Sequence, residues 1–161
     1  MMDIIIFSQN LRGKYKYFIN EFETMLNQNE LAIILIQDMG NVGPDGPQDL
    51  RQALAPHNII TNTISTNKAR NTGIILHRNW EIISEQKHES GGLIGVEVRS
   101  ANTSVFVMCA YLPTALDAYG MPESFDATSE SKTTKAQEEA YAIYSTASEW
   151  TQPHKNSLVV T

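Results

Sequence analysis

A single cysteine, Cys109, in 161 residues rules out an internal disulfide framework. It lies inside an apolar, strand-like run, so it reads as a buried small hydrophobe rather than a nucleophile. No apolar stretch approaches the roughly 20 residues that a membrane span needs. The short Met1–Phe7 run has no basic flank and is too short for a secretory signal. These absences lead to the expectation of an intracellular protein, nuclear or cytoplasmic, with no membrane partner. Basic residues are also scarce: 12 Lys and Arg face 18 Asp and Glu, a formal charge of −6. There is no long basic run, only Arg12-Gly13-Lys14-Tyr15-Lys16 and Lys68-Ala69-Arg70. That balance argues against binding nucleic acid by bulk electrostatics, which is built from Lys and Arg contacts. It leaves open a carboxylate site whose divalent ion bridges to phosphate.

What the chain does have is apolar runs that end in polar residues. Asp3–Phe7 runs into Ser8-Gln9-Asn10, Leu31–Ile36 into Gln37-Asp38, and Val105–Ala110 into Tyr111-Leu112-Pro113-Thr114. A fourth run, Ser157–Val160, is followed by Thr161. Met2–Gln9 and Leu31–Gln37 read as buried strands. Between them Tyr17, Phe18, Phe22, Met25 and Leu26 recur near helical spacing over Gly13–Gln28, which completes a βαβ unit. Gly43-Pro44-Asp45-Gly46-Pro47 is a turn segment, followed by a short helix over Pro47–Leu54 that Pro56 ends. From His57 onward, Asn58–Ile64, Thr72–His77, Trp80–Glu85, Leu93–Arg99 and Ser104–Tyr111 read as strands in antiparallel hairpins. Within Leu93–Arg99, Ile94, Val96 and Val98 fall on one face and Leu93, Gly95, Glu97 and Arg99 on the other. Ala115–Ser131 is polar and reads as a long loop. Lys132–Trp150 reads as a helix on the spacing of Ala136, Ala140, Ile143, Tyr144 and Trp150. The composition, 42% hydrophobic and 19% charged, suits one globular domain over residues 1–161. A doubly wound fold would alternate strand and helix throughout. The mixed order here predicts an α/β fold of two mixed sheets flanked by helices.

Side chains at the carboxyl ends of strands converge on the ligand crevice in sheets packed with helices. Asp38 at a strand mouth suits Mg²⁺, which takes oxygen ligands; it equally suits a turn or a helix N-cap. Asn10 can orient a phosphate or a water, or cap the following helix. Tyr111, just before Pro113, can donate to a phosphate oxygen or cover the sheet edge. His57, His77, His88 and His154 read as loop or surface histidines.

Taken in order, the strings carry more than the single residues do. Phe7-Ser8-Gln9-Asn10-Leu11-Arg12-Gly13 resembles the opening strand motif of the endonuclease/exonuclease/phosphatase superfamily. Leu35-Ile36-Gln37-Asp38 resembles its metal-binding motif, Thr72–Leu76 its central strand and Gly92–Val98 the strand that follows. Cys109–Thr114 resembles its tyrosine motif. The flavour is that of the apurinic-type endonuclease domain of non-LTR retrotransposons, which travels with reverse transcriptase. The resemblance implies a two-sheet α/β sandwich and Mg²⁺-dependent (or Mn²⁺-dependent) phosphodiester hydrolysis on DNA. It assigns Asp38 to the metal, Asn10 and Tyr111 to catalysis, and Gln37 to support of the metal ligand.

Two departures modify that expectation. Asp38 stands where the family usually has Glu, one methylene longer. The family's Gly-Asp-x-Asn string and later Asp-His pair have no counterpart here. The expectation is therefore an N-terminal, catalytically incomplete part of such a domain, lacking the C-terminal strands of its second half. Two other readings stay open at this point. One is a non-catalytic module whose open sheet edge takes a protein partner; the other is a phosphoesterase for small phosphorylated molecules or lipids.

Overall fold

The structure is a computed structural model that describes residues 3–63, 71–112, 127–154 and 158–160. Among the described residues eight strands form two four-stranded sheets. The first sheet has the order β1 (Ile5–Asn10), β2 (Ala32–Gln37), β4 (Thr72–Leu76), β3 (Asn58–Asn62). The second has the order β5 (Glu81–Lys87), β6 (Leu93–Ser100), β7 (Thr103–Ala110), β8 (Leu158–Val160). The β1–β2 and β7–β8 pairs are parallel and the other four are antiparallel. Both sheets are thus mixed, as expected. The βαβ opening is present, and the hairpin ladder divides between the sheets at the β4–β5 connection.

Side-chain alternation sorts the apolar residues into three clusters, because successive strand residues point to opposite faces. Ile33 and Leu35 of β2, Ile60 of β3 and Ile74 and Leu76 of β4 meet Ile94, Val96, Val98, Val105, Val107 and Cys109 of the second sheet. This is the core between the sheets. On the other face of the first sheet, Ala32, Ile34, Ile36, Ile59 and Ile75 pack on Phe22, Leu26, Leu50 and Leu54. Those last four belong to α1 (Ile19–Gln28) and α2 (Gln48–Leu54). On the outer face of the second sheet, Leu93, Phe106 and Met108 pack on Ile143 of α3 (Ala127–Thr151), with Ala147 and Trp150 partly buried against them. The layers therefore run helix, sheet, sheet, helix. Strands β2 and β4 are covered on both faces, which is why each reads as a continuous apolar run rather than an alternating one. Edge strand β5 is mostly exposed and carries Glu81, Glu85 and Lys87 with a bulge between Ile82 and Ser84, features that discourage edge-to-edge pairing.

Several boundaries differ from the sequence expectation. The first helical segment opens with a 3₁₀ turn at Tyr15–Phe18 before α1 begins. A 3₁₀ turn advances each residue further around the axis than an α-helix does, and Tyr17 consequently lies outside the packed stripe, 81% exposed. Strand β5 begins at Glu81, leaving Trp80 buried in the preceding turn. Helix α3 starts at Ala127 rather than Lys132. Its Ser- and Thr-rich start reads as loop because such residues compete for backbone hydrogen bonds, but propensity is a weak prior. Tyr144, placed by spacing on the packed face, is exposed. Ile64, Lys68-Ala69-Arg70, Pro113-Thr114 and the polar segment up to residue 126 lie outside the described residues.

Candidate functional site at the polar end of the sandwich

The register brings one end of each sheet together. Asn10 pairs with Gln37 across β1–β2, Gln37 with Thr72 across β2–β4, and Asn62 with Thr72 across β3–β4. Alternation continues the inter-sheet faces of β1, β2, β3 and β4 to Ser8 and Asn10, Gln37, Asn62 and Thr72. In the second sheet β7 continues through Cys109 and Ala110 to Tyr111, opposite the start of β6 at Leu93. The apolar core between the sheets thus becomes polar at this one end.

Direct bonds join the two sheets there. Gln37 Nε2 donates to Cys109 Sγ at 3.2 Å and to Ser8 Oγ at 3.3 Å. Asn62 Nδ2 donates to the carbonyls of His88 (2.8 Å) and Leu93 (2.9 Å). Thr72 Oγ1 donates to the Gly91 carbonyl at 3.0 Å. The His88–Gly92 turn is closed by its own side chains: Ser90 N–H donates to His88 Nδ1, and Gly92 N–H to Ser90 Oγ. The Tyr111 N–H donates to the Gly92 carbonyl at 2.8 Å, which ties the half-buried Tyr111 to the same turn. A Cβ at Gly92 would lie 2.7 Å from the Tyr111 carbonyl oxygen, so only glycine fits that approach.

Asp38 leaves β2 in the left-handed region, at φ 54°, which is tolerable for Asp but uncommon. Its N–H donates to the Asn71 carbonyl (3.0 Å), and its own carbonyl accepts from Gly13 N–H (2.8 Å). Asn71, buried, accepts from Met39 N–H at 2.6 Å and donates to the Gly40 carbonyl at 2.8 Å. Asn10 is exposed, and its Oδ1 accepts from Arg12 N–H at 2.9 Å, closing a turn ahead of the helical segment. Burial pushes the Cys109 thiol up to about 11, with the bonds to Gln37 and to backbone opposing that rise.

A hydrated Mg²⁺ needs one or two carboxylates and keeps several waters, completing its shell with substrate phosphate. Asp38 offers one carboxylate at a partly exposed strand mouth. Among the described residues no group of three or more His, Cys, Asp or Glu could hold an ion. The described residues here thus form no closed cage of protein ligands.

All four residues singled out from the sequence, Asn10, Gln37, Asp38 and Tyr111, lie at this end. Asn62, Asn71, Thr72 and the His88–Gly92 turn, which also build it, were not singled out as site residues. Their only signal is that each closes or opens an apolar run with a polar residue. His57 and His77 lie at the opposite end, where β3 begins and β4 finishes.

The class defined by this architecture is a four-layer α/β sandwich with one polar end. Solved structures similar to the chain include humanized D. rerio TDP2 carrying 14 mutations, at 13% identity over 71% of this chain, TM-score 0.49. They also include the endonuclease domain of TRAS1, a telomere-specific non-LTR retrotransposon, at 14% identity over 66% of this chain, TM-score 0.46. A third is an endonuclease/exonuclease/phosphatase family protein from Leptotrichia buccalis, at 10% identity over 84% of this chain, TM-score 0.49. The chain spans 51%, 44% and 63% of those three chains respectively. No protein-family model and no curated protein matches the sequence.

Proposed function

We propose that the chain is the N-terminal part of a Mg²⁺-dependent, endonuclease-like phosphodiesterase of the non-LTR retrotransposon type, acting on DNA. The observation that carries the reading is the shared location of Asn10, Asp38 and Tyr111. Three residues spread over 101 positions, each following an apolar run in the family's order, lie at the same end of the two sheets: Asn10 closes β1, Asp38 follows β2 and Tyr111 follows β7. In this reading Asp38 ligates the metal, which polarises the phosphodiester and lowers the pKa of an attacking water. Asn10 orients the phosphate or the water, Tyr111 donates to a phosphate oxygen, and Gln37 fixes the β2 end from which Asp38 projects. The chain's net negative charge fits a mode in which the cation, rather than a basic patch, draws the phosphate in.

Hydrolysis also needs groups that activate water and stabilise the leaving oxygen. Asp38 is the one carboxylate that the family strings assign in this chain, so plasmid nicking by the 161-residue chain is expected to stay at background. Binding is the direct test. A fluorescently labelled DNA oligonucleotide should show Mg²⁺-dependent anisotropy, weakened about 10-fold or more by Asp38→Ala, in the range typical for loss of a metal-site group. Binding that is indifferent to both Mg²⁺ and Asp38→Ala would sink the reading.

A further inference from the structure

We infer that Asn71 is the positioning residue for the Asp38 carboxylate, an inference that rests on the metal-binding reading of Asp38. The Asp38-Met39-Gly40 turn reverses away from β2 with Asp38 at φ 54° and Gly40 at φ 85°. Nothing in the ladder holds a turn of that kind, since β2 pairing ends at Gln37. Asn71 holds it at three successive residues: its carbonyl takes the Asp38 N–H, its Oδ1 takes the Met39 N–H at 2.6 Å, and its Nδ2 reaches the Gly40 carbonyl at 2.8 Å. The side chain is 3% exposed, so water does not substitute readily for either bond.

Only a primary amide offers a donor and an acceptor at one planar tip of this length. Leucine would leave a buried N–H and a buried C=O unmet, and aspartate would set a carboxylate against the Gly40 carbonyl. The other sides of the turn are already fixed. Met39 is fully buried beneath it, Gly13 N–H holds the Asp38 carbonyl at 2.8 Å, and a Cβ on Gly40 would meet Gly13 Cα at 3.0 Å. With backbone and turn pinned from both sides, the Asp38 Cα–Cβ bond has one direction. A carboxylate one methylene shorter than Glu has less reach to correct an error in that direction, and such sites tolerate displacements of only about 0.5 Å.

The test compares Mn²⁺ binding, read by the free-ion EPR signal, in the full chain and in Asn71→Ala, Gly95→Ala and Asp38→Ala, each with a melting curve. Gly95→Ala crowds Phe106 and Trp150 on the outer face of the second sheet, away from the Asp38 turn. The inference expects Asn71→Ala to weaken Mn²⁺ binding about 10-fold or more, and Gly95→Ala to leave affinity unchanged even where it melts as early. Equal weakening in both variants, or none in either, overturns it. If Asp38→Ala leaves Mn²⁺ affinity unaltered, the metal reading fails instead. Asn71 is then judged by the carboxyl ¹³C resonance of Asp38, which must shift or broaden in Asn71→Ala and stay in place in Gly95→Ala. Should Asn71→Ala not fold, Asn71→Asp keeps the Met39 acceptor and loses the Gly40 donor. It must move the same resonance, and an unmoved one counts against the inference.

Discussion

Gln37, at the last rung of β2, reaches across the gap between the sheets to Cys109 of β7, Nε2 to Sγ 3.2 Å. Cys109 in turn points at the carbonyl of Ile36 at 3.4 Å. This contact is the boundary between the apolar core and the polar end of the sandwich. It explains why the one thiol is both buried and hydrogen-bonded, and it sets the first expectation.

Cys109 should be inert in the folded protein. A buried thiol held near 11 has almost no thiolate at neutral pH. Thiol reagents at pH 8 should modify it only under denaturing conditions, with a rate that tracks global unfolding. Rapid labelling of the native chain would show that this end of the sandwich opens locally.

The first two glycines after β2, Gly40 and Gly43, should respond unequally to alanine. Gly43 has φ 75° and open space around it, so Gly43→Ala carries only the left-handed backbone cost of about 1–2 kcal/mol. Gly40 has φ 85°, and a Cβ there would lie 3.0 Å from Gly13 Cα and 3.2 Å from Gly13 O, backbone atoms that have little room to yield. Gly40→Ala should therefore cost more, about 2–4 kcal/mol when overpacking is added. Urea midpoints of the two variants check the order.

Gly95 is where α3 approaches the second sheet. An added Cβ would lie 3.0 Å from Phe106 Cζ and 3.1 Å from Trp150 Cε3. Gly95→Ala should destabilise by about 1–3 kcal/mol. Phe106 is one of the two rings that crowd it, so Phe106→Leu should relieve part of that cost, and the double variant should fall short of the sum of the singles. Full additivity would mean that the helix end, not Phe106, yields.

The histidine pair at the opposite end predicts an acid-side loss of stability. His57 and His77 rings lie 4.6 Å apart. His57 Nδ1 accepts from Arg78 N–H at 2.9 Å and His77 Nδ1 from Asn79 N–H at 3.1 Å. A protonated ring would turn each acceptor into a donor facing a donor. Both pKa values lie below the ordinary 6.5, first because of burial, then through the positive charge of Arg78 and, for His77, of His57, with Glu30 opposing. As pH falls below 6.5 the unfolded chain takes up protons that the folded chain refuses, so stability present above 6.5 is lost until the folded values are reached. Urea midpoints should fall between pH 7.5 and 5.5, and His57→Gln should flatten that slope.

The elements and their types were largely legible in the sequence, because burial on one face or two leaves a period that local reading detects. The continuous apolar runs of β2 and β4 and the alternation of Leu93–Arg99 follow directly from which faces are covered. The 3₁₀ turn at Tyr15–Phe18, the outward Tyr144 and the early start of α3 were not legible, since tertiary contacts decide local geometry where propensities are weak. For the site, the chain itself determined that Asn10, Gln37, Asp38 and Tyr111 each close an apolar run. Only the tertiary structure decided that those closures share one end, through the parallel β1–β2 pairing and the stacking of β2 on β7. It alone revealed Asn71, Asn62 and Thr72 as the side chains that hold that end. A polar residue's role there depends on which distant backbone group it meets, and that meeting is set by register and packing rather than by neighbours along the chain.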